Sequence, residues 1–435
     1  MYQQCFFDAV IGPTYHFGGL SFGNTHSMSH QQQRSYPKKT ALEGLHKMQR
    51  VSQLGFKQYV LPPQPRQFLS LLKAFGLVGD STTEIQQFYH DYPKQFSAIF
   101  SASAAWVANA FIATPSCDTA SQRVHITPAN LVSNDHRKLE LCYTTQQLQQ
   151  LFLDSDFFKV NQAVKQSCPD EGAANMIRLG TLTQGFYLFV YNVSQQDPCH
   201  TRFPGRQSKE ALSFIVKKHG INADRVCYLQ QSFRAVDAGV FHNDVIAFGD
   251  QDVLVVHEHA YEDQSRMLGM LQDYYNRFYE KPLTIVEIAE KDLSLATAVT
   301  TYFFNSQFVK CPNDSYVLIC PDTCKEDASI QRVITLLSAQ LQAPLQVTYV
   351  SVSESLQNGG GPACLRGFVA LTDSERHAMN SVYEFTPQCA EKLISFVQSH
   401  YPTTLDCADL CDVGMIQECQ DIVNQLQLVF ESNKS

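Results

Sequence analysis

The chain has 435 residues and a mass of 49.0 kDa, with 44% hydrophobic and 17% charged residues. That much apolar side chain closes a core and excludes wholesale disorder. A formal net charge of -9, from 33 Lys and Arg against 42 Asp and Glu, excludes a generic nucleic-acid-binding surface. The opening MYQQCFFDAVIG has no basic run and carries Asp8 early, which predicts no secretory signal. Cysteines are scattered from Cys5 to Cys419, as expected for free thiols in a reducing cytoplasm and not for a small disulfide scaffold. The uncharged run 96–117 contains Ser97, Ser101, Ser103, Asn109 and Ser116, so it reads as a packed interior segment and not a membrane span. No linker, low-complexity stretch or charge run divides the chain, and we expect one catalytic domain over residues 1–435.

In chain order, Thr40-Ala-Leu-Glu43 reads as a capping box that opens a helix. Leu45, Met48 and Val51 continue it at helical spacing until Gly55. Strand composition marks 186–191. Ser208 opens a second helix with Leu212, Ile215 and Val216 inward and Gly220 at its end. Further strands are expected at 226–230, 245–248, 253–257, 283–288, 316–320, 345–352 and 367–371, with Gly249-Asp250-Gln251 as a hairpin turn. Leu268, Leu271, Tyr275 and Phe278 form one more helical stripe, and Cys419, Ile422, Leu426 and Val429 the last, with Cys419 in the core. Strand pairs alternating with helices make an α/β pattern. Short polar clusters also recur around Asn109, Asn175, Asn243, Asn305 and Cys364, about 60 to 70 residues apart. Five such units would fill residues 80–400. A strand, turn, strand and helix are expected after His242 and again after Cys364.

Four segments can carry chemistry. In Asn358-Gly-Gly-Gly-Pro-Ala-Cys364-Leu-Arg366 the glycines allow close backbone approach to a ligand. Backbone amides or Arg366 would lower the pKa of Cys364; the alternative is a cysteine that starts a buried strand. In Val240-Phe-His242-Asn-Asp244, a strand would point His242 and Asp244 to one face, His242 suiting proton transfer; the alternative is a strand-end histidine satisfied by neighbours. Adjacent Asp170 and Glu171 are costly to bury without a positive partner, and otherwise sit in a solvated loop. The loop Gly18, Gly19, Leu20, Ser21, Phe22, Gly23, Asn24, Thr25, His26, Ser27 misses the dinucleotide fingerprint and suits an anion, with His136, Arg137 and Arg206 as candidate basic partners. The pairs Cys320 and Cys324, Cys407 and Cys411, and His257 and His259 fit no structural zinc spacing, so no metal site is expected. A cysteine, a histidine and carboxylates together suit nucleophilic attack on a cationic carbon electrophile, for which a guanidinium is the natural candidate.

Several long motifs stand in register. They are GGLSFGN at 18–24, Trp106-Val-Ala-Asn109, His136-Arg137, DEGAAN at 170–175, Pro204-Gly-Arg206-Gln207, VFHNDVIA at 240–247 and NGGGPACLR at 358–366. Over residues 6–400 the chain thereby resembles the N-succinylarginine dihydrolase family of guanidine-modifying, or pentein, enzymes. Residues 166–169 and the tail beyond about residue 400 look less typical of that pattern.

The resemblance implies a five-bladed α/β propeller with pseudo-fivefold symmetry. It implies hydrolysis of N2-succinyl-L-arginine by two waters to N2-succinyl-L-ornithine, two ammonia and carbon dioxide, in the succinyltransferase route of arginine catabolism. It also implies no cofactor, no nucleic-acid or membrane partner, and a homodimer. By the same resemblance Cys364 attacks the guanidinium carbon to give a thiouronium intermediate. His242 protonates the leaving ammonia and then activates water, Glu171 acts with it, and Asp244 binds the guanidinium. Asn109, His136, Arg137, Arg206, Asn358 and the loop from Gly18 to Ser27 hold the carboxylates. An arginine deiminase or an amidinotransferase of the same superfamily would share the Cys, His and acid set.

Overall fold

Fifteen strands form in the computed structural model, which describes residues 1–194 and 201–433. They are β1 (Gln3–Ala9), β2 (Lys57–Leu61), β3 (Phe111–Thr114), β4 (Val124–Pro128), β5 (Phe158–Val160), β6 (Met176–Thr181), β7 (Gln184–Tyr191) and β8 (Val226–Gln230). The rest are β9 (Ala247–Asp250), β10 (Val253–His257), β11 (Thr284–Ile288), β12 (Gln307–Lys310), β13 (Tyr316–Pro321), β14 (Leu345–Val350) and β15 (Gly367–Leu371). They pair as five three-stranded sheets. In each, an antiparallel pair is extended by a third strand parallel to its neighbour. A parallel neighbour needs a crossover, and helices supply it: Pro37–Gln53, Glu140–Leu151, Lys209–His219, Gln264–Tyr275 and Ala328–Gln340. The five sheets form the expected pseudo-fivefold α/β propeller. Strands such as Val253–His257 are buried along their whole length because both faces of each sheet are covered, so they read as continuous apolar runs.

The fifth unit departs from the expected order. After Cys364 comes a single strand, β15, then the short helix Asp373–His377, and no second strand. Its partners come from the other end of the chain: β1 pairs antiparallel with β15 (Gln3 opposite Leu371) and parallel with β2 (Cys5 beside Lys57). The N-terminal strands thus complete the last blade and close the ring, which leaves no exposed edge between the first and last units.

Local readings fare unevenly. The helix expected at Thr40 begins three residues earlier at Pro37, whose fixed φ suits the first helical position. Thr40 is therefore inside the helix, donating to the Tyr36 carbonyl (2.8 Å), and Glu43 caps nothing. Glu43 instead accepts from Ser353 Oγ (2.8 Å) and the Glu354 amide (3.1 Å), tying this helix to Ser353–Gln357. Ser208 does cap Lys209–His219, and Gly220 ends it in the left-handed region at φ 66°. Cys419 is buried on Val413–Glu431 as expected, whereas Phe278 lies beyond the end of Gln264–Tyr275. The β9–β10 hairpin turns at Gln251 and Asp252; Gly249 pairs with Leu254 inside the ladder. No helix among the described residues is long and apolar enough to cross a membrane.

An ion pair between Asp8 on β1 and Lys47 on Pro37–Gln53, both buried, joins the closing strand to its crossover helix. Removing one partner of such a pair strands a buried charge, at a cost of about 3–5 kcal/mol. We expect Lys47→Met to lower the unfolding free energy by about that amount in urea titration. Asp8→Asn combined with Lys47→Met should recover much of the loss.

Candidate active site

Each sheet is entered through one tight turn at the same end of the ring. These turns are Val107–Asn109, Gly172–Asn175, Asn243–Val245, Phe303–Asn305 and the segment 362–366. They are the recurring polar clusters, and their role is mutual hydrogen bonding. The Ala108 amide donates to the Cys364 carbonyl (3.1 Å), and Asn109 Nδ2 to the Glu171 carbonyl (3.1 Å). The Asn243 amide donates to Asn175 Oδ1 (2.9 Å), Asn305 Nδ2 to the Asp244 carbonyl (3.2 Å), and the Ala363 amide to the Asn305 carbonyl (2.9 Å). The circuit is closed. Gly172, at φ 69°, packs against Asn109, where an added Cβ would lie 2.8 Å from its carbonyl carbon. Gly360 is pressed on the Trp106 ring, 1.6 Å from Nε1 to the same hypothetical Cβ, so the glycine run answers to neighbours inside the protein.

The turns deliver Cys364, His242, Glu171 and Asp244 to the centre. His242 and Asp244 are not on a strand. His242 is extended (φ -139°, ψ 160°) just before the turn Asn243–Val245, and Asp244 lies within it. His242 Nε2 is 3.0 Å from Glu171 Oε2, and Asn109 Nδ2 is 3.4 Å from His242 Nδ1. Ser133 Oγ donates to the other oxygen of Glu171. Burial alone would raise the Glu171 pKa. The bond to His242 and the charges of His242, Arg206 and Arg137 outweigh it and hold the group at about 2. Its neighbour Asp170 is pushed the other way, to about 6, by burial that one bond from Gln207 and one from the Gly172 amide only partly offset. Adjacent carboxylates thus differ by environment: Glu171 works as an anion, and Asp170 braces Gln207 (Nε2 to Oδ1, 3.2 Å).

The Cys364 thiol donates to Asp244 Oδ2 (3.3 Å) and accepts from Asn305 Nδ2 (3.1 Å). Burial, then the adjacent Asp244 carboxylate, push its pKa well above the ordinary thiol value. This corrects the expectation that backbone amides or Arg366 lower it. The Arg366 guanidinium lies instead over the rings of Phe6 (5.1 Å) and Phe368 (4.8 Å).

Above these groups opens a cleft. Cys364, His242, Asn109, His136, Arg137, Arg206, Asn358, Gly18, Leu20, Ser21, Asn24 and Ser27 line it. Asn24 caps Thr25–Ser29 through the Ser27 amide (3.1 Å) and reaches the Gly359 carbonyl (3.3 Å), which fixes the glycine loop over the cleft. Gly19, Phe22, Gly23, Thr25 and His26 do not line the cleft. Phe22 is 54% exposed with its ring on Phe203, and His26 packs on Tyr302. Gly19 and Gly23 supply left-handed backbone, and Thr25 starts the short helix. Glu171 and Asp244 lie behind His242 and Cys364 and touch the cleft only through them. His16, Ser101, Ser103, Phe241 and Gly359 also line the wall, and Asn305 supports Cys364; the sequence marks Asn305 only as a repeat position.

The basic side of the cleft is unevenly satisfied. Glu140 grips Arg137 by Nε (3.2 Å) and Nη2 (2.9 Å) and leaves Nη1. Arg206 is buried with no carboxylate at ion-pair distance among the described residues. It donates to the Phe22 carbonyl (2.7 Å) and lies 4.9 Å over the Phe241 ring. Burial lowers its pKa, so an anion is the missing partner. His136 is held neutral by burial and by the charges of Arg137, Arg206 and Arg66. The cleft therefore combines a neutral thiol and His242, with carboxylates behind them, and two arginines on its wall whose charges reach Glu171. Among the described residues, no group of three or more His, Cys, Asp or Glu could hold a metal ion.

The succinylarginine dihydrolase family model matches residues 2–434. N-succinylarginine dihydrolase of Burkholderia thailandensis is 38% identical over 430 residues, covering 98% of this chain and 96% of the relative. That of Idiomarina loihiensis is 36% identical over 433 residues with the same coverage, 98% and 96%. Among solved structures, the N-terminal domain of ArgZ, an arginine dihydrolase from the ornithine-ammonia cycle in cyanobacteria, is similar at a TM-score of 0.51. It is 13% identical, and the match covers 84% of this chain and 97% of that domain. The apo structure of ArgZ is similar at a TM-score of 0.52 and 13% identity over 85% of this chain, which spans 40% of its length. Likeness at that identity concerns the fold.

Because Glu171 titrates below its unfolded value of 4.5, its charge stabilises the folded state fully above that pH, and the contribution is lost as pH falls towards about 2. Thermal melts of wild type and Glu171→Gln should therefore differ most near neutrality and converge between pH 4.5 and pH 2. Parallel curves across that window would contradict the Glu171 assignment.

Proposed function

Because the chain belongs to the succinylarginine dihydrolase family, we propose that it hydrolyses N2-succinyl-L-arginine with two waters to N2-succinyl-L-ornithine, two ammonia and carbon dioxide, in arginine catabolism. The observation that carries this reading is the polarity of the cleft. It pairs a thiol flanked by Asp244 and His242–Glu171 with a buried arginine on the same cleft wall that has no carboxylate partner among the described residues. A succinylated arginine has the complementary layout, a guanidinium at one end and two carboxylates at the other.

In the resting site the thiol is neutral. A guanidinium entering beside Asp244 and Glu171 brings a positive charge next to the sulfur and takes over the Asp244 oxygen, which lowers the thiol pKa as the electrophile arrives. Cys364 sulfur attacks the guanidinium carbon. His242, oriented by Glu171, takes the thiol proton and returns it to the departing nitrogen, and ammonia leaves a thiouronium on Cys364. Water then adds to that carbon with His242 as base, the carbon–sulfur bond breaks, and the thiol reforms beside a ureido product. A second round on the ureido group releases the second ammonia, and the resulting carbamate loses carbon dioxide. Arg206, Arg137 Nη1, Asn358 and the loop from Gly18 to Ser27 hold the carboxylates, with His136 and Asn109 as neutral partners. Water is the sole co-reactant, so no cofactor enters.

The wider reading is a single catalytic domain over 1–435, a homodimer in the cytoplasm, with a small-molecule substrate and no nucleic-acid or membrane partner. The single domain is supported by β1 completing the sheet of β15, and the compartment by the 13 free thiols among the described cysteines. The net charge of -9 argues against nucleic acid, and the dimer rests on the resemblance.

Purified protein should release two ammonia per N2-succinylarginine consumed, and Cys364→Ser none. One ammonia would move it to the deiminases, and an amine-dependent first turnover to the amidinotransferases. His242→Ala should lose about a hundred- to ten-thousandfold in kcat. Arg206→Gln removes charge-assisted bonds of about 1.5–3 kcal/mol, so KM should rise about ten- to a hundredfold while kcat changes little.

A further inference from the structure

A second, small cavity lies behind the catalytic floor. Every sheet contributes to it: Ala108 from the turn before β3, Ile177 from β6, Ala247 from β9, Phe308 from β12 and Phe368 from β15. It therefore sits inside the ring, on the axis about which the blades are arranged. The partition from the active-site cleft is one residue thick. Asn109, His242 and Cys364 face the cleft, while their chain neighbours Ala108, Asn243 and Ala363 face the cavity. Asp244 also lines the cavity while its Oδ2 touches the Cys364 thiol at 3.3 Å.

The walls are polar where they meet the partition. Asn243 Nδ2, Asp244 Oδ1 and Arg366 Nε are all buried and have no protein hydrogen-bond partner among the described residues. Two donors and one acceptor around a space that admits only a few waters are the surroundings that ordered water satisfies. Beyond the cavity the inner strands run on to a broad opening of about 1740 Å³ on the far face, where Gln251 and Lys310 stand at the rim. Gly249 and Phe308, two residues earlier on the same strands, line the cavity, so roughly 7 Å of strand separates cavity from rim.

We propose that this axial cavity is a water-binding site that feeds the covalent intermediate on Cys364 from behind, past Asp244. The proposal rests on the hydrolytic function given above. While the intermediate exists, the ligand fills the cleft from Cys364 to the arginines, and water from the front has to pass it. From behind, the Asp244 side chain joins the two spaces, lining the cavity and touching the Cys364 sulfur. The delivered water forms a carbon–oxygen bond at the thiouronium carbon in the first round, and at the thiocarbamate carbon in the second, and yields one proton to His242; the carbon–sulfur bond breaks and sulfur takes a proton back. A second water serves the second round.

The test fills the cavity without touching the catalytic groups, with Ala247→Leu and Ile177→Phe, each checked for a wild-type melting curve. Single-turnover ammonia release and intact-mass spectra during turnover are measured with N2-succinylarginine. The proposal expects the first ammonia at the wild-type rate, then a fall in kcat of about tenfold or more with Cys364 adduct accumulating. Folded variants that turn over at the wild-type rate without adduct, or in which the first ammonia is the slowed step, overturn it. A wild type that releases no ammonia would instead overturn the function. Should both variants fail to fold, a high-resolution crystal structure of the wild type decides. Ordered waters on Asn243 Nδ2, Asp244 Oδ1 and Arg366 Nε support the proposal, and a dry cavity overturns it.

Discussion

The closed circuit of hydrogen bonds among the five inner turns is the constraint on which the site depends. Each turn is only a few residues long and has no regular ladder of its own, so its backbone and asparagine groups must find partners in the next turn. Asn109, Asn175 and Asn305 do this through their side chains, and Ala108 and Ala363 through their amides. Because the circuit closes, no turn can shift without breaking two contacts. The groups proposed for catalysis ride on it: Glu171 precedes one turn, His242 the next, and Cys364 belongs to the last. Closure in turn requires β1 to complete the sheet of β15, so the two ends of the fold set the geometry at its centre.

On this frame the charges are separated, not neutralised. Glu171 keeps its charge despite complete burial because His242 and two arginines face it. Asp170 next to it has only hydrogen-bond donors and shifts upward. Arg137 is committed to Glu140, whereas Arg206 has a carbonyl and an aromatic face but no counter-ion among the described residues. A buried cation left in that state is costly, and a ligand carboxylate recovers the cost on binding. The thiol follows the same logic in reverse: burial and Asp244 favour its neutral form, and in the proposed reaction a cationic substrate makes the thiolate favourable. Reactivity is thereby tied to occupancy by the right charge.

Much of this was legible in the residues. The asparagine recurrence marked the five turns because the same hydrogen-bonding task recurs once per blade. Ser208 and Gly220 bounded their helix because capping is a local matter. Less was legible where a local signal had a competing use. Thr40 and Glu43 have capping-box spacing, yet Pro37 starts the helix and Glu43 is drawn to Ser353 and Glu354, more than three hundred residues away. The segment after Cys364 resembled the other units and yet forms one strand, since its partner comes from the N-terminus. His16, Ser101 and Phe241 carried no signal at all, because a loop residue lines a cleft only by virtue of where the rest of the fold puts it.

The sequence by itself determined the α/β class, the fivefold recurrence and the chemical inventory of Cys364, His242, Glu171, Asp244 and the arginines. Those follow from residue type and spacing, which act over short range. Tertiary structure alone decided the protonation of that inventory and its division in space. It set a thiol kept neutral, a glutamate kept charged, an arginine without a carboxylate partner among the described residues, and a partition one residue thick between cleft and axial cavity. Burial and the field of distant charges set those states, and neither exists until residues far apart in the chain are packed against one another.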